Sequence, residues 1–503
     1  MKGRRSFYNI LLGLISLLIT IFFNLIIPRL FILKLGSEVN GFMSSITQIF
    51  IYLMLLEAGV GEATIQALYK PLTVDDKESL NGILSATSRY YNKTGKFYLL
   101  TVVIISILYP IITKSQINSV TISLVILFTG VVGVINYFLQ AKFKLLLIAE
   151  GKTYIITTAN LVVNTLSNIT KIVLLLLNFN ILIIQISYFI ISFLQMFLIW
   201  IYIKKHYKWI DLKVKPDYSA ISQKNSVLVH QISGMVFYNT DVLILTFFCG
   251  FAVVSVYTMY NLIFQMISSV ITNISSGVIF VLGSSYFEDK EKFLDLYNSF
   301  ESYYMSIVFA LSTISYILIL PFMKLYTAGI TDVNYIDTLL PTMFAILNLL
   351  SYVRMPGVYS INIAGHFKKT QYRSIFESVI NIIVSLICVN FFGIYGVLIG
   401  SITALLYRTN DIILYTSKQI IKRNSLITYK KCFINIAILF IIVFLVSKFN
   451  LSIESYSEFL IIGSLLLITV IPLFFISMAA LDIKSFNYCI GFSKKYLNKL
   501  RNK

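Results

Sequence analysis

Charge is scarce in this 503-residue chain: Asp, Glu, Lys and Arg together make up 13% of it. A soluble domain carries about 25%. With 57% of residues hydrophobic, too little polar surface remains to clothe a soluble fold of this length. Histidine occurs three times (His206, His230, His366) and cysteine four times (Cys249, Cys388, Cys432, Cys489), all far apart. Neither a metal cluster nor a disulfide framework is expected from such spacing. Gly-x-Ser-x-Gly and His-x-x-x-His patterns are missing as well. "EGKTY" (150–154) ends like a phosphate-binding loop, but Leu146 stands where the leading glycine is required and no strand precedes it. The segment reads as a turn, and hydrolysis of ATP by this chain is not expected. No catalytic residue, metal or cofactor is assigned, and the chain is read as a non-enzyme. The sequon "NIT" (168–170) falls within an apolar run and carries no meaning there.

Long apolar runs, by contrast, are nearly continuous. About 20 mostly apolar residues cross the hydrocarbon core as a helix, and fourteen such spans are expected: about 8–33, 41–62, 97–113, 120–141, 155–177, 181–203, 226–248, 251–281, 303–323, 341–364, 375–391, 394–416, 431–447 and 457–478. A β-barrel would show short alternating strands instead. The first run extends to about Leu33 without a small-residue cleavage site, which predicts an uncleaved first span. Net charge is +19, yet its distribution speaks against nucleic acid. With the N-terminus in the cytoplasm, 33 Lys and Arg fall on cytoplasmic segments and four outside (Lys34, Lys114, Lys324, Lys448). This positive-inside bias predicts both termini in the cytoplasm, with the charge also attracting anionic lipid headgroups.

A repeat underlies the spans. Asp76-Lys77-Glu78 and Tyr90-Tyr91 recur as Asp289-Lys290-Glu291 and Tyr303-Tyr304 at an offset of 213. Gly36 and Gly151 recur as Gly250 and Gly365 one residue further on. Four regions in one register predict a duplication of six spans, with both halves starting in the cytoplasm and thus related as parallel repeats. The expected fold is an all-α polytopic membrane protein of about 14 transmembrane helices: an N-terminal lobe (1–212), a C-terminal lobe (213–417), and two further helices with a basic tail (418–503).

Charges inside spans are costly and usually face a bundle interior or a watery cavity. Five stand out: Arg29 after Pro28 in the outer part of span 1, Glu57 toward the inner end of span 2, Lys171 in the outer half of span 5, Asp241 past the middle of span 7, and Arg354 near the middle of span 10. Simpler readings stand beside the functional ones. Arg29 and Lys171 can snorkel outward, and Glu57 can face headgroups. Arg408 and Asp411, three apart, are expected to pair locally. Glu377 is expected in the first turn of its helix, complementing the dipole. Asp241 and Arg354 are deepest and hardest to explain without function. The repeat sets Arg29 level with Asp241, and Arg354 at the position of Gln140. Tyr238, Tyr257 and Tyr260 flank Asp241 and offer surfaces for sugar rings or, more simply, for packing.

The six-plus-six-plus-two pattern, with "LGSEVNGFMSSITQIFIYLMLLEAGVGEATI" (35–65), "LLLIAEGKTY" (145–154) and "NTDVLILTFFCGFAVVSVYTMYNLI" (239–263), resembles the polysaccharide transporter and O-antigen flippase family. That family shares a superfamily with multidrug and toxin extruders and lipid II flippases. The resemblance spans about residues 7–480. It implies a bacterial cytoplasmic-membrane protein, serving capsule or lipopolysaccharide biosynthesis, that flips an undecaprenyl-pyrophosphate-linked oligosaccharide by alternating access. Arg29, Arg354 and Lys171 would then meet the pyrophosphate or acidic sugars, with Asp241 and Glu57 as ion-coupling or salt-bridge partners. A polysaccharide polymerase and a chain-length regulator are implied partners, alongside membrane lipids. A lipid II flippase and an ion-coupled drug antiporter are the alternatives. The antiporter usually has twelve spans and more acids in its cavity. A membrane ligase or polymerase needs a large outer loop, and the longest here (about 324–340) is short.

Overall fold

The computed structural model describes residues 2–57, 60–219, 239–449 and 453–488, with Gly491. Among these every regular element is helical. In chain order they are α1 (Lys2–Leu35), α2 (Ser37–Leu53), a 3₁₀ turn (Met54–Glu57), α3 (Val60–Thr73), α4 (Lys77–Ile112) and α5 (Ser119–Ile135). A π turn (Asn136–Gln140) leads into α6 (Ala141–Ala149), α7 (Thr153–Leu176) and α8 (Ile181–His206). Next come α9 (Asn239–Cys249), α10 (Phe251–Glu288), α11 (Lys290–Tyr326), α12 (Leu340–Val353), α13 (Met355–Ile363), α14 (Phe367–Phe392) and α15 (Ile394–Thr416). A second π turn (Ser417–Ile421) precedes α16 (Leu426–Ser447) and α17 (Tyr456–Leu481).

Eleven helical segments among the described residues are long and apolar enough to cross a membrane. Phe22, Ile111, Phe391 and Ile468 are among the large apolar side chains exposed on them, as on helices that face lipid. This is a multi-pass membrane protein. Three of the fourteen expected spans are not continuous helices of that kind. The second is interrupted by the turn at Met54–Glu57. The tenth is interrupted at Arg354, because Pro356 lacks the N–H that would continue the ladder. Part of the seventh, including Tyr238, lies outside the described residues. The fourth overruns its expected end at 141 and continues to Ala149, bringing Lys142 and Lys144 into the span. Polarity of a side chain does not stop a helix whose backbone is already paired.

The sequence offset of 213 to 214 recurs in the backbone. Gly36 and Gly250 have φ of 88° and 85°, and each joins two helices. Gly151 and Gly365 share φ of 68°. These left-handed values favour glycine. Asp76 and Asp289 are equivalent N-caps: the Asp76 carboxylate accepts from the Ser79 amide, and that of Asp289 from the Glu291 and Lys292 amides. Each opens a helix of at least 36 residues. The "EGKTY" segment is the α6–α7 turn, where Tyr207 Oη bonds Glu150 at 2.7 Å and Lys152 at 2.8 Å.

Packing divides the chain into two compact units, residues 1–256 and 257–503. The first unit takes in α9 and the first turns of α10. Within it a polar seam ties α2 to these elements. Tyr52 meets Thr240 at 2.7 Å, Ser45 meets Thr246 at 2.7 Å and Tyr109 at 2.6 Å, and Asn40 donates to Ser255 at 2.8 Å. Gly41 permits the approach: a methyl there would lie 1.7 Å from the Phe251 carbonyl oxygen. Gly41→Ala is expected to cost about 1–3 kcal/mol by overpacking. Thermal unfolding in detergent would then begin about 5 °C lower; an unchanged Tm would contradict so tight a seam.

In the second unit α16 and α17 are anchored on α11 by a buried acid. Glu301, 1% exposed, accepts from Arg423 at 2.5–2.6 Å, Lys431 at 3.0 Å and Thr428 at 2.8 Å. Beside it Asp482 accepts from Ser485 and Ser302. Burial pushes the Asp482 carboxyl up, but the Ser485 hydrogen bonds and Lys431 outweigh that and hold it below the ordinary carboxylate range. Its contribution to stability is thus present at neutral pH and is lost as pH falls through that lowered value.

Candidate functional site

The π turn at Asn136–Gln140 builds the first candidate site, inside the first unit. An inserted residue displaces the helix ladder, and such turns often mark functional positions. Here it borders a cavity of about 440 Å³ lined by Tyr98, Tyr137 and Tyr188, by Asn136, Gln140 and Gln195, and by Lys144. Among the described residues no Asp or Glu lines it. Lys144 donates to Asn136 Oδ1 at 2.7 Å, and Gln195 is bonded to Asn160. Gln140 is 3% exposed and its Oε1 has no hydrogen-bond partner among the described residues. A buried acceptor without a donor costs about 1–3 kcal/mol, so a ligand hydroxyl or amide offered there would recover that penalty.

The second candidate lies in the second unit, at the helix break that the repeat sets level with Gln140. The break at Arg354 lets α13 turn against α15, where a Cβ on Gly357 would lie 2.6 Å from Ile412. Arg354 donates to Glu377 at 2.5 Å. The other Glu377 oxygen lies 3.4 Å from Arg408 Nε. Arg408 also holds Asp411 at 2.6 Å and the Ser374 hydroxyl at 2.9 Å, and Arg373 pairs with Asp411. Arg354, Glu377 and Arg408 are each 6% exposed. Three guanidinium groups thus share two carboxylates, leaving an excess of one positive charge.

The sequence-predicted residues distribute unevenly over these sites. Arg354 is central to the second, though already paired. Glu377 is not in a first turn: α14 begins at Phe367, so the acid stands well inside the helix and acts on arginines instead of a dipole. Arg408 and Asp411 pair as expected within a larger network. Lys171 lies over the Tyr188 ring, 4.8 Å from its centroid, on a tyrosine that lines the first cavity. Asp241 is 5% exposed, next in sequence to Thr240 of the polar seam. Arg29 is half-buried in α1. Glu57 ends the 3₁₀ turn, and its side chain lies outside the described residues. Tyr257 and Tyr260 are buried in the second unit against Phe344, with Tyr260 donating to the Tyr335 carbonyl at 2.9 Å. They serve packing, and the tyrosines lining the first cavity are Tyr98, Tyr137 and Tyr188. Among the described residues no cluster of His, Cys, Asp and Glu could hold a metal.

No protein-family model and no curated protein matches the chain. Solved structures do. A lipid II flippase, MurJ, in an inward closed conformation superposes with a TM-score of 0.71 at 16% identity, covering 94% of this chain and 99% of that one. An inward-facing multidrug resistance MATE family transporter of the MOP superfamily gives 0.65 at 18%, covering 79% and 94%. A MATE in a bent conformation gives 0.53 at 18%, covering 83% and 94%. The fold is that of the MATE and MurJ transporters.

Within this MATE- and MurJ-like fold the two candidate sites are assembled from the chain's own residues, since such identities carry no side-chain roles. The coverage separates the relatives: the MurJ likeness reaches over 94% of the chain and the first MATE likeness over 79%. A third feature lies in the second unit. An apolar groove of about 400 Å³ runs between α11, α12, α15 and α16, lined by Phe309, Ile346, Leu349, Ile413, Ile436 and Phe440. Phe440 is exposed at its rim.

Proposed function

We propose that this chain is a flippase that moves an undecaprenyl-pyrophosphate-linked oligosaccharide from the cytoplasmic to the outer leaflet by alternating access. One observation carries the proposal: a membrane-embedded cavity lined, among the described residues, by tyrosines, amides and a lysine, without an acid. Tyrosine faces and amide groups suit sugar rings and hydroxyls, and a lysine suits an anion. A cavity built for organic cations would need a carboxylate. The groove along α16 supplies the apolar surface that a polyprenyl chain requires, and the Arg354 network the positive excess that a pyrophosphate seeks. Arg29 and Lys171 are proposed as further cations on the substrate's path, with Asp241 and Glu57 as their counter-charges. In this proposal the protein sits in a bacterial cytoplasmic membrane with both termini in the cytoplasm, and hands its cargo to a polymerase with its chain-length regulator.

The extent of the likeness to MurJ favours a second reading, a lipid II flippase. Its cargo has the same polyprenyl-pyrophosphate end and a different sugar part, so loss of the gene separates the two. Deletion is expected to strip surface polysaccharide while growth and wall synthesis continue. Asp241→Asn and Arg354→Gln chains, present in the membrane at normal amounts, are each expected to restore less than a tenth of the glycan. Full restoration by both would remove these residues from the site. Arrest of wall synthesis would instead assign lipid II.

A further inference from the structure

A third cavity, of about 500 Å³, opens at the end of the second unit where α16 begins and α17 ends. It is separate from the cavity and the groove assigned to transport above, and is walled by α11 and by the two helices that stand outside the repeat. One wall is apolar, from Ile427, Ile434 and Met478. The other carries Lys430, Lys431 and Lys484 with the hydroxyls of Ser299 and Ser485. Two acids, Asp295 and Asp482, also line it, but their charges are already engaged. Asp482 is held by Ser485, Ser302 and Lys431. Asp295 faces Lys484 at 3.4 Å in an exposed, weak pair. Lys431 in turn is committed to Glu301 beneath the floor. Counting Arg423, four cations meet three acids, and the surplus rests on Lys430. Lys430 is exposed and has no hydrogen-bond or ion-pair partner among the described residues.

We propose that this cavity is a binding site for a phosphate group, seated between Lys430 and Lys484, and that its source is an anionic phospholipid. The juxtaposition of an apolar wall and a lysine wall at a helix end is what distinguishes a lipid from a soluble phosphate: Ile434 and Met478 would meet acyl carbons while the lysines hold the headgroup. Basic pockets between membrane helices at the cytoplasmic face commonly bind anionic headgroups in this way. A lipid in this place bridges α16, α17 and α11, so it clamps the two added helices onto the second unit.

The test uses the full-length protein in detergent, with added phosphatidylglycerol, phosphatidylcholine or inorganic phosphate, read by thermal unfolding and by native mass spectrometry of retained lipid. Phosphatidylglycerol is expected to raise Tm by about 4 °C and phosphatidylcholine to leave it unchanged. K430E/K484E should lose the shift, whereas K205E, on the exposed end of α8, should keep it. Should the double charge reversal fold poorly, K430A/K484A replaces it, with an expected loss of at least half the shift. A shift with inorganic phosphate that matches the one with phosphatidylglycerol, and is lost in the same variant, would retain the phosphate site and overturn the lipid as its source. Equal stabilisation of wild type and variants by phosphatidylglycerol, or none by either probe, would overturn the site itself.

Discussion

Replacing Glu377 with alanine is expected to unfold or severely destabilise the second unit, at a cost of about 3–5 kcal/mol. The size follows from what remains. Arg354 loses the carboxylate that it meets at 2.5 Å, and Arg408 keeps the Ser374 hydroxyl and one carboxylate, Asp411, which it shares with Arg373. A guanidinium left in an almost fully buried position has no water to turn to. Glu377→Gln keeps the volume and one acceptor and should cost less. The informative variant replaces both partners: Arg354→Met with Glu377→Leu removes both charges at once. Buried ion pairs exchanged for apolar residues are often neutral in stability, so this double variant is expected to unfold near the wild-type temperature. If the Arg354 charge serves transport, the same protein should be inactive. A stable and fully active double variant would reduce the network to architecture.

Lys144→Ala is expected to lower flipping of an anionic lipid-linked sugar about 10- to 150-fold, the equivalent of one charged hydrogen bond of about 1.5–3 kcal/mol. Lys144 is the only charged side chain among the described residues lining the unit 1 cavity, and its bond to Asn136 Oδ1 fixes the amine at the π turn. Lys144→Glu should be worse than alanine for an anionic cargo. For a cationic cargo the order reverses, with glutamate improving capture. The sign of the glutamate effect therefore separates a sugar-pyrophosphate carrier from a drug antiporter without knowledge of the sugar. Gln140→Leu removes the buried acceptor without altering charge and should lower transport of glycosylated cargo more than it lowers stability, because its Oε1 meets no donor among the described residues.

Helical membrane architecture was legible because apolar runs report directly on a hydrocarbon surround. The glycine and aspartate pairs of the repeat were legible too, since φ near 68° or 85° and helix N-caps each demand particular residue types. Helix breaks inside apolar runs were not. Composition does not register a 3₁₀ turn at Met54–Glu57, and the tenth span was expected to run unbroken through Pro356, where the helix in fact breaks at Arg354. Nor does an apolar run mark where a helix ends. The helix α11 starts at Lys290, more than ten residues before its apolar run, and so Glu301 is a buried helical acid where a cytoplasmic loop was expected. The same overrun brings Lys144 into the fourth span. The deep charge at Arg354 could be recognised from sequence, but its neutraliser could not: Glu377 lies 23 residues away on another helix, and only packing brings them together. The tyrosines of the first cavity were hidden among the 33 of the chain, most of which pack or face lipid.

The most direct test is transport itself. Purified protein is reconstituted into vesicles loaded with an undecaprenyl-pyrophosphate-linked oligosaccharide in the inner leaflet, and its appearance outside is followed with a membrane-impermeant glycosidase. Wild type should expose the sugar at least tenfold faster than empty vesicles, Lys144→Glu should fall to the empty-vesicle rate, and a lipophilic drug cation should not cross. Movement of the cation but not of the sugar lipid, or full activity of Lys144→Glu toward the sugar lipid, would contradict the proposed function.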